Sequence, residues 1–362
     1  MVWLKPEIRR FKVALTSACP HNCAYCFSNK SEGATLDEDS CRAAVRLILG
    51  TPGWTKKLYI YGGEPLLRFE LLKKVILWSQ KEAARSSKRL AVLVSTGGTG
   101  VRREHLEFFR DNDVGLCFSM DGAPEAHNLF RRYRNGGETF TQLLAGVELA
   151  FKIIPADRLG VSQGVHPLHA RRLFENYRYL LSLGFKHTNL EIVQGIAWSR
   201  RQKDFLKRGL LLKKKFLLRE IARGRFLFPL SISERLASTT DAAYTRCPFH
   251  SSFELFPDGS YSFYPYPFLA SAAERAQARI GTAQGGLSPK FKDCRFSPSR
   301  DRCARCLEEY YVLGRFDDNE PSELRIRTAM GMVSDILKAA GRSGVFASYV
   351  RESLKRSMKG FG

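Results

Sequence analysis

Along the first half of the chain, six short runs of mainly apolar and β-branched residues alternate with longer stretches whose apolar positions return at helical spacing. The runs are FKVALT at 11–16, KLYIYGG at 57–63, LAVLVST at 90–96, VGLCFSM at 114–120, LGVSQGV at 159–165 and NLEIV at 189–193. Strands separated in this way predict βα units, because parallel neighbours must be joined through a crossover. The first crossover carries its own punctuation. Thr35 followed by Glu38 reads as a capping box, LDEDSCRAAVRLIL continues as the helix, and Gly50 with Pro52 behind it ends it. Six units fall short of the eight of a closed barrel. The predicted fold class is therefore α/β, a partial (β/α)6 TIM-like barrel over residues 1–198, with its active face at the C-terminal ends of the strands.

Beyond 198 the pattern changes. SRRQKDFLKRGLLLKKKFLLREIAR, residues 199–223, interleaves apolar positions with cations and predicts a basic helical bridge over 199–240. Its polar side is either a solvated face or a docking surface for an acidic peptide or phosphates. Residues 241–315 hold short aromatic strands, Gly and Pro turns and four cysteines, and read as a second, smaller α+β module. Residues 316–362 read as a helical tail whose basic end, YVRESLKRSMKGFG, is expected to fray.

Composition sharpens this picture. No apolar run approaches the roughly 18 residues of a membrane span, and the opening MVWLKPEIRR lacks a signal-peptide core, so a cytoplasmic protein with no membrane partner is expected. Thiols stay reduced there, and nine cysteines, seven of them in two groups, point to metal centres before disulfides. The net charge of +22 favours an anionic partner without naming it.

The first group is Cys19, Cys23 and Cys26, spaced C-x3-C-x2-C directly after the first predicted strand. A structural zinc takes four protein ligands, and a cubane iron–sulfur cluster normally takes four thiolates. Three thiolates in one loop leave a corner for something other than protein, unless His21 fills it; otherwise His21 reads as a solvent-facing loop residue. The second strand ends in Tyr61, Gly62, Gly63, Glu64 and Pro65. The glycines admit a ligand to the backbone, and Glu64 can accept from an ammonium group, although the same residues also describe a turn into a helix. The fourth strand ends in Ser119 and Asp121, with His127 and Arg131 following.

This set resembles the radical S-adenosylmethionine (SAM) superfamily. The resemblance implies that Cys19, Cys23 and Cys26 hold a 4Fe-4S cluster whose free iron chelates SAM. It implies that Tyr25 packs against the adenine and that Gly62, Gly63, Glu64 and Pro65 receive the SAM ammonium. The S-x-D-G…H-x3-R stretch is similar to that of peptide- and protein-modifying members; by that match Ser119 and Asp121 hold the ribose, and Arg131 reaches a SAM carboxylate or the substrate. The implied chemistry is reductive cleavage of SAM to a 5′-deoxyadenosyl radical that takes a hydrogen atom from the substrate. STGGTG at 95–100 stands where relatives often have a T-N-G turn and contains no nucleotide fingerprint. Cys41 and Cys117 lie outside both groups and read as small buried core residues, Cys117 on the same strand face as Ser119.

The second group, Cys247, Cys294, Cys303 and Cys306, contains one C-x2-C pair able to bring two thiolates to one metal. With CPFHSSFELFPDGSYSFYPYP and IGTAQGG around it, the module resembles the SPASM or twitch extension of radical SAM enzymes. It lacks a cysteine shortly after the P-D-G turn and any beyond the C-x2-C pair. The resemblance therefore implies one auxiliary iron–sulfur cluster rather than two; a zinc on the same four thiolates suits the spacing as well. His250 reads as an ordinary residue of the module.

Among relatives with this extension, maturation of ribosomally made peptides is common. The leading expectation is thus a peptide substrate that is crosslinked, epimerised or decarboxylated. An acidic leader would suit the basic chain, recognised by a separate partner protein or by the barrel and the 199–223 helix, with a flavodoxin or ferredoxin as electron donor. Three rivals stand beside it. Formylglycine formation, as in anaerobic sulfatase maturation, would call for two auxiliary clusters. RNA modification fits the charge and is a weaker expectation, and the last rival is a non-catalytic iron–sulfur or zinc scaffold.

Overall fold

The computed structural model describes residues 8–26, 33–193, 195–240, 252–262, 279–287 and 320–356. The predicted runs form β1 (Arg10–Ala14), β2 (Thr55–Tyr61), β3 (Arg89–Thr96), β4 (Gly115–Ser119), β5 (Leu159–Val165) and β6 (His187–Ile192), paired in parallel in chain order. Between them run α1 (Glu38–Leu49), α2 (Phe69–Arg85), α3 (Arg103–Asp111), the short α4 (Pro124–Asn128) with α5 (Phe140–Ile153), and α6 (Leu173–Ser182). Alternation along each strand sorts the side chains. Leu58, Ile60, Val92, Val94, Leu116 and Phe118 bury against Leu72, Ile76, Leu106, Phe109, Leu143 and Val147 of the helices. Each such aliphatic contributes about 1.5–3 kcal/mol by leaving water. The residues between them, Ser95, Cys117 and Ser119 among them, line the concave side.

Asp37, not Thr35, caps α1: its carboxylate accepts from the Ser40 amide at 2.6 Å and the Ser40 hydroxyl at 2.7 Å. Asp37 sits one residue before the helix, where a side-chain acceptor reaches the third helical N–H. Thr35 is engaged elsewhere, with the Thr16 hydroxyl at 2.9 Å and the Arg68 Nε at 3.0 Å.

The basic segment is one helix, α7 (Arg200–Ala222), opened by a reciprocal cap between Ser199 and Gln202. It is a crossover rather than a free bridge. It leads from the end of β6 to β7 (Phe228–Pro229), which pairs in parallel with His187 and Thr188. After α8 (Leu230–Thr240), the tail expected to fray is packed through Arg356, and residues 357–362 lie outside the described residues. Helices α9 (Glu320–Ala340) and α10 (Gly344–Arg356) bury Met332, Ile336 and Tyr349 against Leu217, Ile221, Ile232 and Leu236. The Tyr349 hydroxyl donates to the Leu227 carbonyl at 2.9 Å.

On the opposite edge, β8 (Ser252–Leu255) lies parallel to β1, and β9 (Ser260–Ser262), β10 (Arg279–Thr282) and β11 (Gly286–Leu287) continue antiparallel. Among the described residues the sheet thus has 11 strands. In the Pro257-Asp258-Gly259 turn, Asp258 accepts from the Ser260 amide at 2.9 Å, and Gly259 adopts φ +74°. Glu254 of β8 meets the barrel's inner side, accepting from the Tyr61 hydroxyl at 2.8 Å and pairing with Lys12 at 2.7 Å. Cys247, His250, Cys294, Cys303 and Cys306 lie outside the described residues. Among the described residues no helix is long and apolar enough to cross a membrane.

Candidate active site

The loop holding Cys19, Cys23 and Cys26 is rooted on the end of β2. The Leu15 amide donates to the Tyr61 carbonyl at 2.8 Å, Gly63 to Thr16 at 2.6 Å and Glu64 to Ala18 at 2.8 Å. This contact explains both glycines. Gly62 has φ +136°, and a Cβ there would lie 2.4 Å from the Thr16 carbonyl oxygen; at Gly63 the corresponding distance to Ala18 is 2.2 Å. The close approach that the sequence suggested for a ligand is made first by the cysteine loop itself. Pro65 opens a 3₁₀ turn, Pro65–Arg68, for which Glu64 is the cap.

The segment after β4 clamps the loop from the other side. The Asn22 amide donates to Arg132 at 2.8 Å and Ala24 to Phe130 at 2.9 Å, while Arg134 returns its amide to Pro20 at 3.1 Å and its Nε to the Cys19 carbonyl at 2.9 Å. His21 is buried, contrary to the solvent-facing expectation. Its Nε2 meets the Thr99 hydroxyl at 2.8 Å and its ring lies 5.3 Å from Tyr133, a position open only because residue 97 is glycine. His127 is also buried, with Nε2 3.0 Å from the Thr139 hydroxyl, and burial lowers its pKa to about 3.

Two carboxylates are buried at the strand ends. Asp121 accepts from the Tyr25 hydroxyl, from Arg131 Nε at 3.0 Å and from the Gly164 amide at 3.0 Å. Burial alone would raise its carboxyl, but the Arg131 guanidinium outweighs that and holds it below the ordinary value. The Arg131 guanidinium also sits over the Tyr25 ring, 5.3 Å from its centre. Burial pushes the Tyr25 phenol well above its ordinary value. Glu64 accepts only neutral donors: the Leu66 amide at 3.1 Å, the Thr96 hydroxyl at 2.9 and 3.0 Å, and the Gly97 amide at 2.8 Å. Burial raises its pKa, and no cationic side chain among the described residues pairs with it.

Cys19 and Cys23 are partly exposed and Cys26 is exposed; the Cys26 amide donates to the Cys23 carbonyl at 3.1 Å, tightening the turn. Among the described residues no three His, Cys, Asp or Glu side chains converge as a single metal ion requires. A cubane differs in presenting its irons at separate corners, and three thiols spread over one short loop suit it better than a mononuclear ion. The donor set around Glu64 suits a ligand ammonium for a complementary reason: a buried carboxylate with neutral partners is stabilised by an added cation.

The structure thus gathers Cys19, Cys23, Cys26, Tyr25, Gly62, Gly63, Glu64, Pro65, Asp121 and Arg131 around one end of the barrel, with Ser119 at the end of β4. Both Asp121 oxygens are used by protein donors, so its visible work is to position Tyr25 and Arg131. Cys41 is a buried core residue of α1. Cys117 is only partly buried, and burial within the barrel raises its thiol to about 12. Sequence reasoning missed Thr96 and Gly97, which hold Glu64, and Gly164, where a Cβ would lie 2.8 Å from the Tyr25 hydroxyl and 2.9 Å from Asp121. Their signal was a glycine or threonine at the C-terminal end of a predicted strand.

Residues 13–169 match the model of the Radical SAM superfamily. The chain is 25% identical over 181 residues to an uncharacterized protein of Methanocaldococcus jannaschii, a match covering 50% of this chain and 61% of that protein. It is 28% identical over 180 residues to the cysteine-type anaerobic sulfatase-maturating enzyme of Clostridium perfringens, covering 47% of this chain and 48% of that enzyme. The matches therefore span only about half to three fifths of the length of these curated relatives. The solved structure of anSMEcpe with bound AdoMet aligns with a TM-score of 0.71 at 17% identity, covering 97% of this chain and 99% of that one. Streptococcus suis SuiB bound to precursor peptide SuiA aligns with a TM-score of 0.53 at 11% identity, covering 88% and 67%. At these identities the likeness is one of fold.

Proposed function

Starting from the radical SAM domain that residues 13–169 carry, we infer that this protein cleaves SAM reductively and removes a hydrogen atom from a peptide substrate. The observation that carries the reading is Glu64: a buried carboxylate, held by neutral donors, directly beside the root of a three-cysteine loop. Cys19, Cys23 and Cys26 would hold a 4Fe-4S cluster, which with bound SAM supplies the 5′-deoxyadenosyl radical. Glu64 receives the SAM ammonium, helped by the backbone of Gly62 and Gly63, and Pro65 fixes the turn behind them. Tyr25 offers a ring to the adenine, Ser119 a hydroxyl to the ribose, and Asp121 keeps Tyr25 and Arg131 in place.

The finer reading is a maturase of a ribosomally made peptide, acting in the cytoplasm with a flavodoxin or ferredoxin as electron donor. An acidic leader is recognised by this chain or by a separate protein. Cys247, Cys294, Cys303 and Cys306 would hold one auxiliary iron–sulfur cluster. That SuiB has been solved with a precursor peptide supports a peptide substrate for this fold. A second reading, formylglycine formation, is favoured by the likeness to a sulfatase-maturating enzyme. The cysteine supply opposes it.

The test is anaerobic reconstitution followed by dithionite and SAM. Release of 5′-deoxyadenosine and about eight irons per chain, four for each cubane, support the reading. A colourless protein that leaves SAM intact overturns it, and about twelve irons would move the balance to the second reading. Mass change in a peptide encoded beside the gene, after co-expression, then identifies the bond made.

A further inference from the structure

Apart from Lys213, buried with its ammonium 4.2 Å over the centre of the Tyr177 ring, the lysines of helix α7 and the arginines beside them fall in two environments. Those turned toward α9 are neutralised: Lys203 pairs with Glu320 at 3.0 Å and Lys214 with Asp335 at 2.7 Å. Those turned outward, Lys207, Arg208 and Lys215, are exposed and have no carboxylate partner among the described residues. Arg219 is exposed one turn further on, and Asp204 is the one exposed acid of the helix. Between these cations the helix leaves Leu211 and Leu212 at 44% and 47% exposure, although its leucines at 206, 210 and 217 are buried and Leu218 is partly buried against the neighbouring core. The face is therefore apolar in the middle of its length and cationic toward both ends. Solvation alone accounts for the charges, but it does not account for two leucines in the middle of them.

The place of this face in the fold suggests its use. α7 leaves the C-terminal end of β6, so its Ser199 cap stands on the side of the barrel where the candidate active site opens, and its 23 residues extend about 35 Å from there. Beside its first turns, Arg171 and Arg201 lie over the Phe205 ring, which carries the cationic surface onto the segment after β5. An RNA surface would pair its cations with free aromatic rings for base stacking. Here Phe205 and Phe216 are already covered by Arg171, Arg201 and Arg219, and the exposed apolar residues are leucines.

We propose that the outward face of α7, formed by Lys207, Arg208, Leu211, Leu212, Lys215 and Arg219, docks an acidic amphipathic segment of the peptide substrate and directs the rest of it to the barrel mouth. The proposal rests on the peptide-substrate reading above. Acidic side chains meet the flanking cations while apolar ones at helical spacing cover the leucine pair, the helix-on-helix mode of peptide recognition.

The probe is a fluorescein-labelled synthetic peptide of Glu, Leu and Ala in amphipathic order, with a scrambled peptide of the same composition, titrated into reconstituted enzyme and followed by anisotropy. The ordered peptide should bind at least about tenfold more tightly than the scrambled one, and rising salt should weaken it. The triple variant Lys207→Glu, Arg208→Glu, Lys215→Glu should lose at least about tenfold in affinity, and Leu211→Ser with Leu212→Ser about fivefold. Dithionite-driven SAM cleavage without peptide should be unchanged in both, which shows the variants are folded. Equal binding by the scrambled peptide, unchanged affinity in the triple variant, or tighter binding of a single-stranded RNA would each overturn the docking face. Failure of the wild-type enzyme to cleave SAM would instead overturn the reading on which it rests, and that is read out separately.

Discussion

The ends of β2 and β4 each bury one carboxylate, and the two are provided for in opposite ways. Asp121 has a partly buried guanidinium, a phenol and an amide, and is held below its ordinary value. Glu64 has amides and a hydroxyl, and burial holds it above. A buried anion with its own cation acts as a brace; one with neutral donors alone can take a cation from outside, the role proposed above for Glu64. The strand-end motifs look alike in sequence, so the difference between brace and receptor rests on what each meets in space.

The sharpest way to break this contrast is Asp121→Ala. It strands Arg131 without its partner, and a loss of about 3–5 kcal/mol of folding stability is expected in chemical denaturation. Glu64→Gln puts a donor in place of one accepting oxygen, so the Leu66 or the Gly97 amide loses its acceptor; a smaller stability loss, about 1–3 kcal/mol, is expected beside a weakening of SAM binding by about 2 kcal/mol measured by equilibrium dialysis. If instead Glu64→Gln unfolds the protein while Asp121→Ala spares it, the roles assigned here are reversed.

The pH dependence should separate the two with opposite signs. Asp121, depressed below its ordinary 3.8, contributes stability that is present above that value and is lost as pH falls through its folded pKa. Glu64, raised above 4.5, favours the fold most when protonated, so the ligand-free protein loses that contribution as pH climbs through the folded pKa. Thermal melts of the ligand-free protein should show a shallower acid-side loss in Asp121→Asn and a shallower decline above 4.5 in Glu64→Gln. SAM should bind more tightly as Glu64 ionises. The smallest effect is expected from Tyr25→Phe, which removes one donor to Asp121 and should cost about 1 kcal/mol of stability.

How much of this was legible beforehand varies by residue. The spacing of Cys19, Cys23 and Cys26 and the Gly62–Pro65 element were plain, since each is a local pattern next to a strand with period-two alternation. The reason for the glycines was not, because the Thr16 and Ala18 carbonyls they accommodate belong to the cysteine loop after β1, more than forty residues away in sequence. Thr35 was misjudged as a cap because two acceptors stood close together, and only the position of Thr16 shows which of them was needed elsewhere. The basic helix was foreseen, yet its role as a crossover depends on a two-residue strand, β7, too short to register in hydrophobic periodicity.

The amino-acid sequence by itself determined the alternation of strand and helix, the parallel crossover connections that this alternation implies, and the chemical types at the strand ends. These follow from periodicity and local backbone preference, which act over a few residues. The tertiary structure alone decided that Gly164 and Arg131 meet at Asp121, that Glu64 finds only neutral donors, that β8 lies beside β1, and that the last two helices cover α7. Such pairings join residues tens to hundreds of positions apart, and they are set by packing and register across the whole sheet, which no local stretch of sequence contains.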